Sequence, residues 1–239
     1  MTTNTKEIGL ESLIVNYLVN QNGYQLGTNA DYNKEFAIDE KRLFEFLQAT
    51  QADKLEILHI LDSDLQKIKF LNKLKQELAA RGIIDVLRKG MRYLHSTLEF
   101  YFVIPSPDNS KANELYKQNI FSVTRQLKYS KDYPTLALDF VVFINGLPLV
   151  TFELKNQFTK QNVDDAVHQY KTDRDPKETI FSFKRCAVHF ALDDNEVKMC
   201  TKLSGKSSWF LPFNLGRNNG AGNPDNPNGI KQIICGNKF

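Results

Sequence analysis

The spacing of apolar residues divides the chain into a helical first part and a strand-rich second part. Between positions 6 and 22 apolar residues recur three and four positions apart, which predicts an amphipathic helix ending at Gly23. The same spacing continues from Lys34 to Arg81, where Asp39 is a suitable N-cap and Gly82 a suitable stop. Residues 33–81 are therefore predicted to form a helical portion.

Strand-like patterns begin after Gly82 and are interrupted by two helical stretches. Helices on both sides of an antiparallel hairpin, followed by further strands, favour an α/β (α+β) fold with a mixed sheet flanked by helices. The predicted strands are 83–94, 96–105, 121–130, the two arms of 136–156, 180–193 and 196–205, and the intervening helices are 113–119 and 163–176.

The stretch 136–156 reads as two apolar strands joined at Asn145-Gly146, a dipeptide typical of a two-residue hairpin turn. Asp139 lies in the first strand, and Glu153 and Lys155 close the second. Because side chains alternate along a strand, Glu153 and Lys155 share a face and Leu154 points to the core. Charges in apolar strands need compensation, which a divalent metal between two carboxylates would supply.

The register of this hairpin gives a geometric condition for such a metal site. A strict two-residue loop pairs position 139 with position 152, which puts Asp139 and Glu153 on opposite faces. If both carboxylates bind one metal, the hairpin must contain an odd loop or a bulge. Gly146 is the natural residue at positive φ.

The D…ExK arrangement resembles the PD-(D/E)xK nucleases, although the Pro that often precedes the Asp is Leu138 here. The resemblance implies that Asp139 and Glu153 hold Mg²⁺ and that Lys155 orients or helps to deprotonate the attacking water. Many such nucleases direct a first-helix glutamate toward the metal, and Glu11 is the candidate here. The spacing alone also fits a strand that ends in solvated charges, and Glu11 also fits a solvated surface position.

Composition restricts the remaining possibilities. A net charge of +3 over 239 residues permits nucleic acid binding without requiring it. The chain contains no apolar run of about 18 residues and no signal peptide, so we expect a cytoplasmic protein without membrane contact. Three widely spaced cysteines and four histidines argue against a disulfide framework and against a Cys- or His-rich metal centre.

Over nearly its whole length the chain resembles the N-terminal part of the restriction (R) subunit of type I restriction-modification enzymes. This resemblance implies an endonuclease domain over 1–211 that hydrolyses phosphodiester bonds of duplex DNA, with Mg²⁺, or Mn²⁺ as a substitute. It also implies methyltransferase and specificity subunits as partners. An Asn/Gly/Pro-rich linker over 212–239 would lead to a translocase absent from this chain, and only that translocase would need ATP. The most specific matching segments are NGLPLV and ELKN in the hairpin and LPFN and GAGNP near the end.

Carried over residue by residue, the resemblance makes Asp139 and Glu153 metal ligands and Lys155 the catalytic lysine. Gln169 and Tyr170 match the family's glutamine-tyrosine motif. That motif is usually Gln-x-x-x-Tyr, whereas Asp173 stands four residues after Gln169 here. Gln169 could bond a base or a phosphate, and Arg174 could clamp a phosphate bidentately. Ordinary surface polar groups are the alternative for these accessory residues.

Two other functions remain open at this point. A catalytically silent, truncated R subunit could act only as a docking or DNA-binding module, although retention of all three catalytic positions argues against it. A stand-alone nuclease of the same fold class is disfavoured by the tail. That tail departs from the family over 230–239, where we hypothesise a single-base frameshift in the coding DNA.

Overall fold

The computed structural model describes residues 4–106, 108–156 and 160–213. The helices are α1 (Asn4–Asn22), α2 (Glu40–Ile57), α3 (Asp64–Arg81), α4 (Ile83–Lys89), α5 (Ser110–Lys117) and α6 (Val163–Thr172). The strands are β1 (Gln25–Leu26), β2 (Tyr32–Asn33), β3 (Ile38–Asp39), β4 (Met91–Tyr93), β5 (Ser96–Leu98), β6 (Phe121–Lys128), β7 (Ala137–Ile144), β8 (Leu147–Leu154), β9 (Val188–Leu192), β10 (Val197–Cys200) and β11 (Leu211–Pro212).

A seven-stranded mixed sheet forms the centre of the protein, in the order β1-β6-β7-β8-β9-β10-β11. Strands β6, β7 and β8 are antiparallel neighbours, whereas β8 and β9 are parallel and are connected through α6. A parallel pair needs a crossover connection of this kind, and the crossover lays α6 on one face of the sheet. The predicted mixed sheet with flanking helices is confirmed.

The two faces of the sheet carry different helices. On one face, Leu10, Ile14 and Leu18 of α1 pack with apolar residues of β6, β7 and β8. On the other face, Ala166 and Tyr170 of α6 pack in a second apolar cluster with residues of β7. Both faces of the central strands are therefore buried, which explains their nearly continuous apolar sequence.

The helices between Lys34 and Arg81 follow the sequence signals. The Asp39 carboxylate accepts a hydrogen bond from the Arg42 backbone N–H at 3.1 Å, as an N-cap does. Helix α3 ends at Gly82, whose φ is +86°. Gln51 interrupts α2 with a non-helical φ of −148° and ψ of 38°, so a second helical stretch follows it and ends at Ile57. The start of the predicted helical portion is not helical, because β2 and β3 lie there.

The predicted strand over 83–94 is wrong for its first half, where α4 forms instead. Gly82 and Gly90 both have positive φ and bracket this short helix. Ile83, Val86 and Leu87 follow one another at helical spacing and are all buried. A short apolar run fits either a strand or a buried helix, and here the two glycines and the packing favour the helix.

Three other strand or linker predictions need correction. The expected strand 96–105 shortens to β5, which forms a small hairpin with β4. Within 180–193 only β9 is extended, because a 3-10 turn occupies Thr179–Phe181 and Lys184 has a φ of +69°. The first residue of the expected linker, Pro212, belongs to β11. Phe213 follows, and its backbone N–H donates to the Val197 carbonyl at 2.7 Å. The linker from residue 214 onward and the frameshift hypothesis concern residues outside the described part.

Among the residues that the structure describes, no helix combines the length and the apolar character needed to cross a membrane.

Candidate active site

The hairpin β7–β8 has the bulge that a shared site for Asp139 and Glu153 requires. Ile144 pairs with Leu147 across the two-residue turn, but a register shift follows between Phe143 and Val142. The shift leaves Leu149 as an extra residue in β8, and Phe140 then pairs with Phe152. One position further along, Asp139 therefore lies beside Glu153 on the same face.

Gly146 fixes the turn against the helical portion. Its carbonyl accepts a hydrogen bond from the Asp39 backbone N–H at 2.8 Å. A Cβ at position 146 would lie 2.6 Å from the Leu43 backbone nitrogen, and φ is +78°. Asn145, the other turn residue, also has a positive φ of +49°. These two conformations are what a tight hairpin turn requires, so the Asn-Gly signal is confirmed.

Asp139 is half-buried at the start of β7. Its Oδ2 accepts a hydrogen bond from the Leu154 backbone N–H at 2.6 Å, and Gln126 Nε2 lies 3.4 Å from its Oδ1. Burial raises the pKa of this carboxyl and the nearby Glu11 raises it further, whereas the Leu154 N–H and the Lys155 charge lower it. Glu11 and Lys155 therefore lie close enough to Asp139 for their charges to affect its pKa.

Glu153 has no exposed surface. Its Oε1 accepts a hydrogen bond from Arg174 Nε at 2.6 Å, and its Oε2 has no hydrogen-bond partner among the described residues. Burial, followed by the neighbouring Asp139, raises the pKa of Glu153 to about 8 despite the Arg174 charge. A buried carboxylate oxygen without a partner is costly, so this oxygen is suited to receive a ligand.

Lys155 directly follows β8 and is half-buried. Its backbone N–H donates to the Leu192 carbonyl at 2.9 Å, which continues the contact between β8 and β9. Strand alternation places its side chain on the face of Glu153, and its charge lowers the pKa of both Glu153 and Asp139.

Glu11 is not a solvated surface glutamate, because only 4% of it is exposed. Its Oε1 accepts from Arg125 Nε, and its Oε2 accepts from Gln126 Nε2 at 2.7 Å. Gln126 therefore connects Glu11 with Asp139. Sequence reasoning missed Arg125 and Gln126, since nothing local to β6 distinguishes them from other polar strand residues.

Two of the three accessory candidates, Tyr170 and Arg174, are buried and do not form a surface that could contact DNA directly. Tyr170 is fully buried, and its hydroxyl lies 2.8 Å from Thr151 Oγ1. Arg174 is 4% exposed. The expectation that Arg174 clamps a phosphate conflicts with this burial. Besides the bond to Glu153, Arg174 donates to the Tyr129 hydroxyl at 3.3 Å and to the Ala137 carbonyl at 2.9 Å.

Gln169 differs from those two residues because it is only half-buried. Within the described ranges its Oε1 is buried and has no hydrogen-bond partner. A contact between Gln169 and a base or a phosphate stays a prediction.

The donor set fits a hard divalent cation with few protein ligands. Nowhere in the described part of the chain do three or more His, Cys, Asp or Glu side chains form a group that could hold a metal ion. Two adjacent carboxylates are nevertheless present, and one of their oxygens is buried without a partner. Mg²⁺ is commonly held in proteins by one or two carboxylates and several waters. Asp139 and Glu153 match that pattern.

Two comparisons relate this chain to known proteins. A curated relative from Methanocaldococcus jannaschii, described as a putative type I restriction enzyme MjaVIIIP endonuclease subunit, is 24% identical over 132 residues. That match covers 50% of this chain and 12% of the relative, so the chain spans a small part of the relative's length. The family model described as type I restriction enzyme R protein N terminus (HSDR_N) matches residues 4–208, and the chain belongs to this family.

Proposed function

We propose that this chain is the metal-dependent endonuclease domain of a type I restriction enzyme R subunit and hydrolyses phosphodiester bonds of duplex DNA. One observation carries the proposal: the bulged hairpin puts Asp139 on the same face as Glu153, whose buried Oε2 has no hydrogen-bond partner among the residues that the structure describes. Polar groups in such an arrangement are typical of a site that is completed by a ligand.

Asp139 and Glu153 are the residues that would hold the metal. Bound Mg²⁺ would polarise the phosphodiester and stabilise charge that develops on it during hydrolysis. Arg174 fixes one oxygen of Glu153 and leaves the other available. The Leu154 backbone N–H fixes one oxygen of Asp139 in the same way. Both carboxylates are thus oriented before any ligand arrives, which lowers the entropic cost of binding.

Lys155 is suited to orient the attacking water. Its ammonium group carries three N–H donors and has no acceptor, so it can hold a water oxygen and offset negative charge on the phosphate. In this proposal Gln169 bonds the DNA near the metal, whereas Tyr170 and Arg174 support the site from inside the protein.

The family suggests the setting in which this domain works. We propose that it assembles in the cytoplasm with methyltransferase and specificity subunits, which select the DNA. ATP would be needed only by a translocase elsewhere in the R subunit. The domain itself would bind duplex DNA mainly through phosphate contacts, without selecting a sequence.

The decisive experiment is a calorimetric titration of Mn²⁺ into the wild-type chain and into Glu153→Ala. We expect binding in the wild type and at least a tenfold loss in the variant, because half of the carboxylate pair is gone. Glu114→Ala, which removes an exposed glutamate of α5, is the matched control and should bind as the wild type does. Equal Mn²⁺ affinity in wild type and Glu153→Ala would contradict the proposal.

The buried ion pair between Arg174 and Glu153 favours a second candidate, a catalytically silent docking module. In such a module Arg174 would be the permanent partner of Glu153, and the fold would serve only to bind the methyltransferase complex or DNA. Gel-shift binding to the partner complex, together with duplex cleavage by the assembled enzyme, separates the two functions. An endonuclease loses cleavage in Glu153→Ala and keeps docking, whereas a docking module shows no cleavage in either form.

A further inference from the structure

Gln126 lies within β6, beside the candidate active site. Arg125 pairs with Phe140 and Leu127 pairs with Leu138 on β7, and Gln126 between them has a φ of +46°. A residue other than glycine rarely adopts this left-handed conformation, and such residues often occur at functional sites. The conformation directs the exposed Gln126 side chain toward the mouth of the site, where Glu11 and Asp139 approach one another.

The Gln126 side-chain amide connects these two carboxylates. Its Nε2 lies 2.7 Å from Glu11 Oε2 and 3.4 Å from Asp139 Oδ1. An amide NH₂ group has two N–H donors, so one nitrogen can serve both oxygens. Glu11 raises the pKa of Asp139, which means that the two acids repel each other when both are charged. The amide offsets part of that repulsion.

The other donors to these acids are held firmly by the protein. Leu154 donates from its backbone within the sheet. Arg125, which donates to Glu11 Oε1, is also anchored through its Nη2 to Ser12 Oγ at 3.0 Å. Arg174, which donates to Glu153, is buried. Gln126 is the exposed side chain in this set, so its contacts are the easiest to exchange for those of a ligand.

We propose that Gln126 is a positioning residue that holds Glu11 and Asp139 together in the metal-free protein and is displaced by the divalent cation. This inference rests on the proposed metal-dependent function. Displacement would free Asp139 Oδ1 for the cation. The bridge thus holds the two like charges of Glu11 and Asp139 in place before the cation binds.

Calorimetry with Mn²⁺ on Gln126→Ala tests this role. Without the amide, the cation no longer has to break two hydrogen bonds, so we expect about three- to tenfold tighter Mn²⁺ binding. The metal-free variant should also melt at a lower temperature than the wild type, because the two acids lose their shared donor. Gln126→Asn keeps the amide chemistry and tolerates the left-handed conformation but shortens the side chain, so it should behave like Gln126→Ala.

Gln48→Ala, which removes an exposed glutamine of α2, serves as the control and should leave both the Mn²⁺ affinity and the melting temperature unchanged. Unchanged or weaker Mn²⁺ binding in Gln126→Ala, with wild-type binding that Glu153→Ala abolishes, would overturn the role of Gln126 and leave the proposed function standing. Absence of Mn²⁺ binding in the wild type would overturn both. Tighter binding in Gln126→Ala and in Gln126→Asn would support the displacement.

Discussion

The two ends of the hairpin β7–β8 bury polar side chains in opposite ways. At the turn, Asn145 is fully buried and uses both ends of its amide. Its Oδ1 accepts from the Ile120 N–H at 2.6 Å, and its Nδ2 donates to the Phe100 carbonyl at 2.8 Å and to Asn119 Oδ1 at 3.0 Å. At the open end, Glu153 is equally buried, yet one of its oxygens has no partner in the described part of the chain.

Under the proposed function, this difference distinguishes Asn145, which stabilises the fold, from Glu153, which would bind a ligand. A buried group with all its hydrogen bonds contributes to stability, whereas an unpartnered oxygen costs stability until something binds it. Asn145 therefore ties the turn to the loops around Phe100 and Ile120. The unpartnered oxygen of Glu153 lowers the stability of the metal-free protein, and a bound cation would restore that stability.

The largest effect is expected at the turn. Asn145→Ala should lower the free energy of unfolding by about 3–4 kcal/mol, because the Ile120 N–H and the Phe100 carbonyl lose their partner inside the protein. Asn145→Gly isolates the loss of hydrogen bonds, since glycine tolerates the positive φ, and should be about 1 kcal/mol less destabilising than alanine. Urea denaturation measures both values, and a loss below about 1 kcal/mol in Asn145→Ala would contradict the comparison.

At the open end of the hairpin, a substitution that removes the charge of Glu153 is expected to stabilise the protein. The pKa of Glu153 is raised from 4.5 to about 8 in the folded protein, so its contribution to stability is present below pH 4.5 and is lost as the pH rises to 8. Glu153→Gln stays neutral at every pH. At pH 9 without metal, we expect this variant to be about 1–3 kcal/mol more stable than the wild type.

Denaturation of the wild type and of Glu153→Gln at pH 5 and pH 9 tests this expected gain in stability. The gain of Glu153→Gln over the wild type should shrink toward pH 5, where Glu153 is protonated, and should be offset at pH 9 when Mn²⁺ is added to the wild type. Glu114→Gln changes an exposed glutamate and should show neither effect. A gain that is the same at both pH values would exclude Glu153 as its origin.

The smallest effect is expected at Tyr170, a residue of α6 whose hydroxyl contacts Thr151 of β8. Tyr170→Phe removes one buried hydroxyl from Thr151, which keeps its contact with His189 Nδ1 at 2.7 Å. We expect a loss of about 1 kcal/mol in unfolding free energy and no change in DNA affinity, since the side chain is inside the protein. Thermal unfolding and a DNA gel shift test the two parts. A clear loss of DNA affinity in a stably folded variant would show that Tyr170 contacts DNA after all.

The sequence was most informative where one short segment carried the whole signal. The Asn145-Gly146 pair identified the hairpin, and the requirement that Asp139 and Glu153 share a face led to the bulge that Leu149 forms. Helix α2 was located by its Asp39 cap and α3 by its stop at Gly82, because capping depends on neighbouring residues only.

Sequence reasoning failed where distant contacts decide the outcome. The run at Ile83 suggested a strand, because a few apolar residues fit both periods and only packing between two glycines selected α4. The sequence allows Arg174 to clamp a phosphate, and nothing near Arg174 predicts its bond to Glu153, which lies 21 residues away in sequence. Gln126 carried no signal, because neither its left-handed backbone nor its contacts with Glu11 and Asp139 can be read from the residues beside it.

The sequence by itself determined the order of most elements, the mixed sheet, the family and the residues that carry charge into the central hairpin. Periodicity, caps and turn dipeptides act over a few residues, so they can be read without coordinates. Only the tertiary structure decided which oxygen of each acid is engaged: Glu153 Oε1 by Arg174, Asp139 Oδ2 by Leu154, and both Glu11 oxygens by residues of β6. Those contacts join α1, β6, β8 and the segment after α6, and such long-range contacts form only when the whole sheet is assembled.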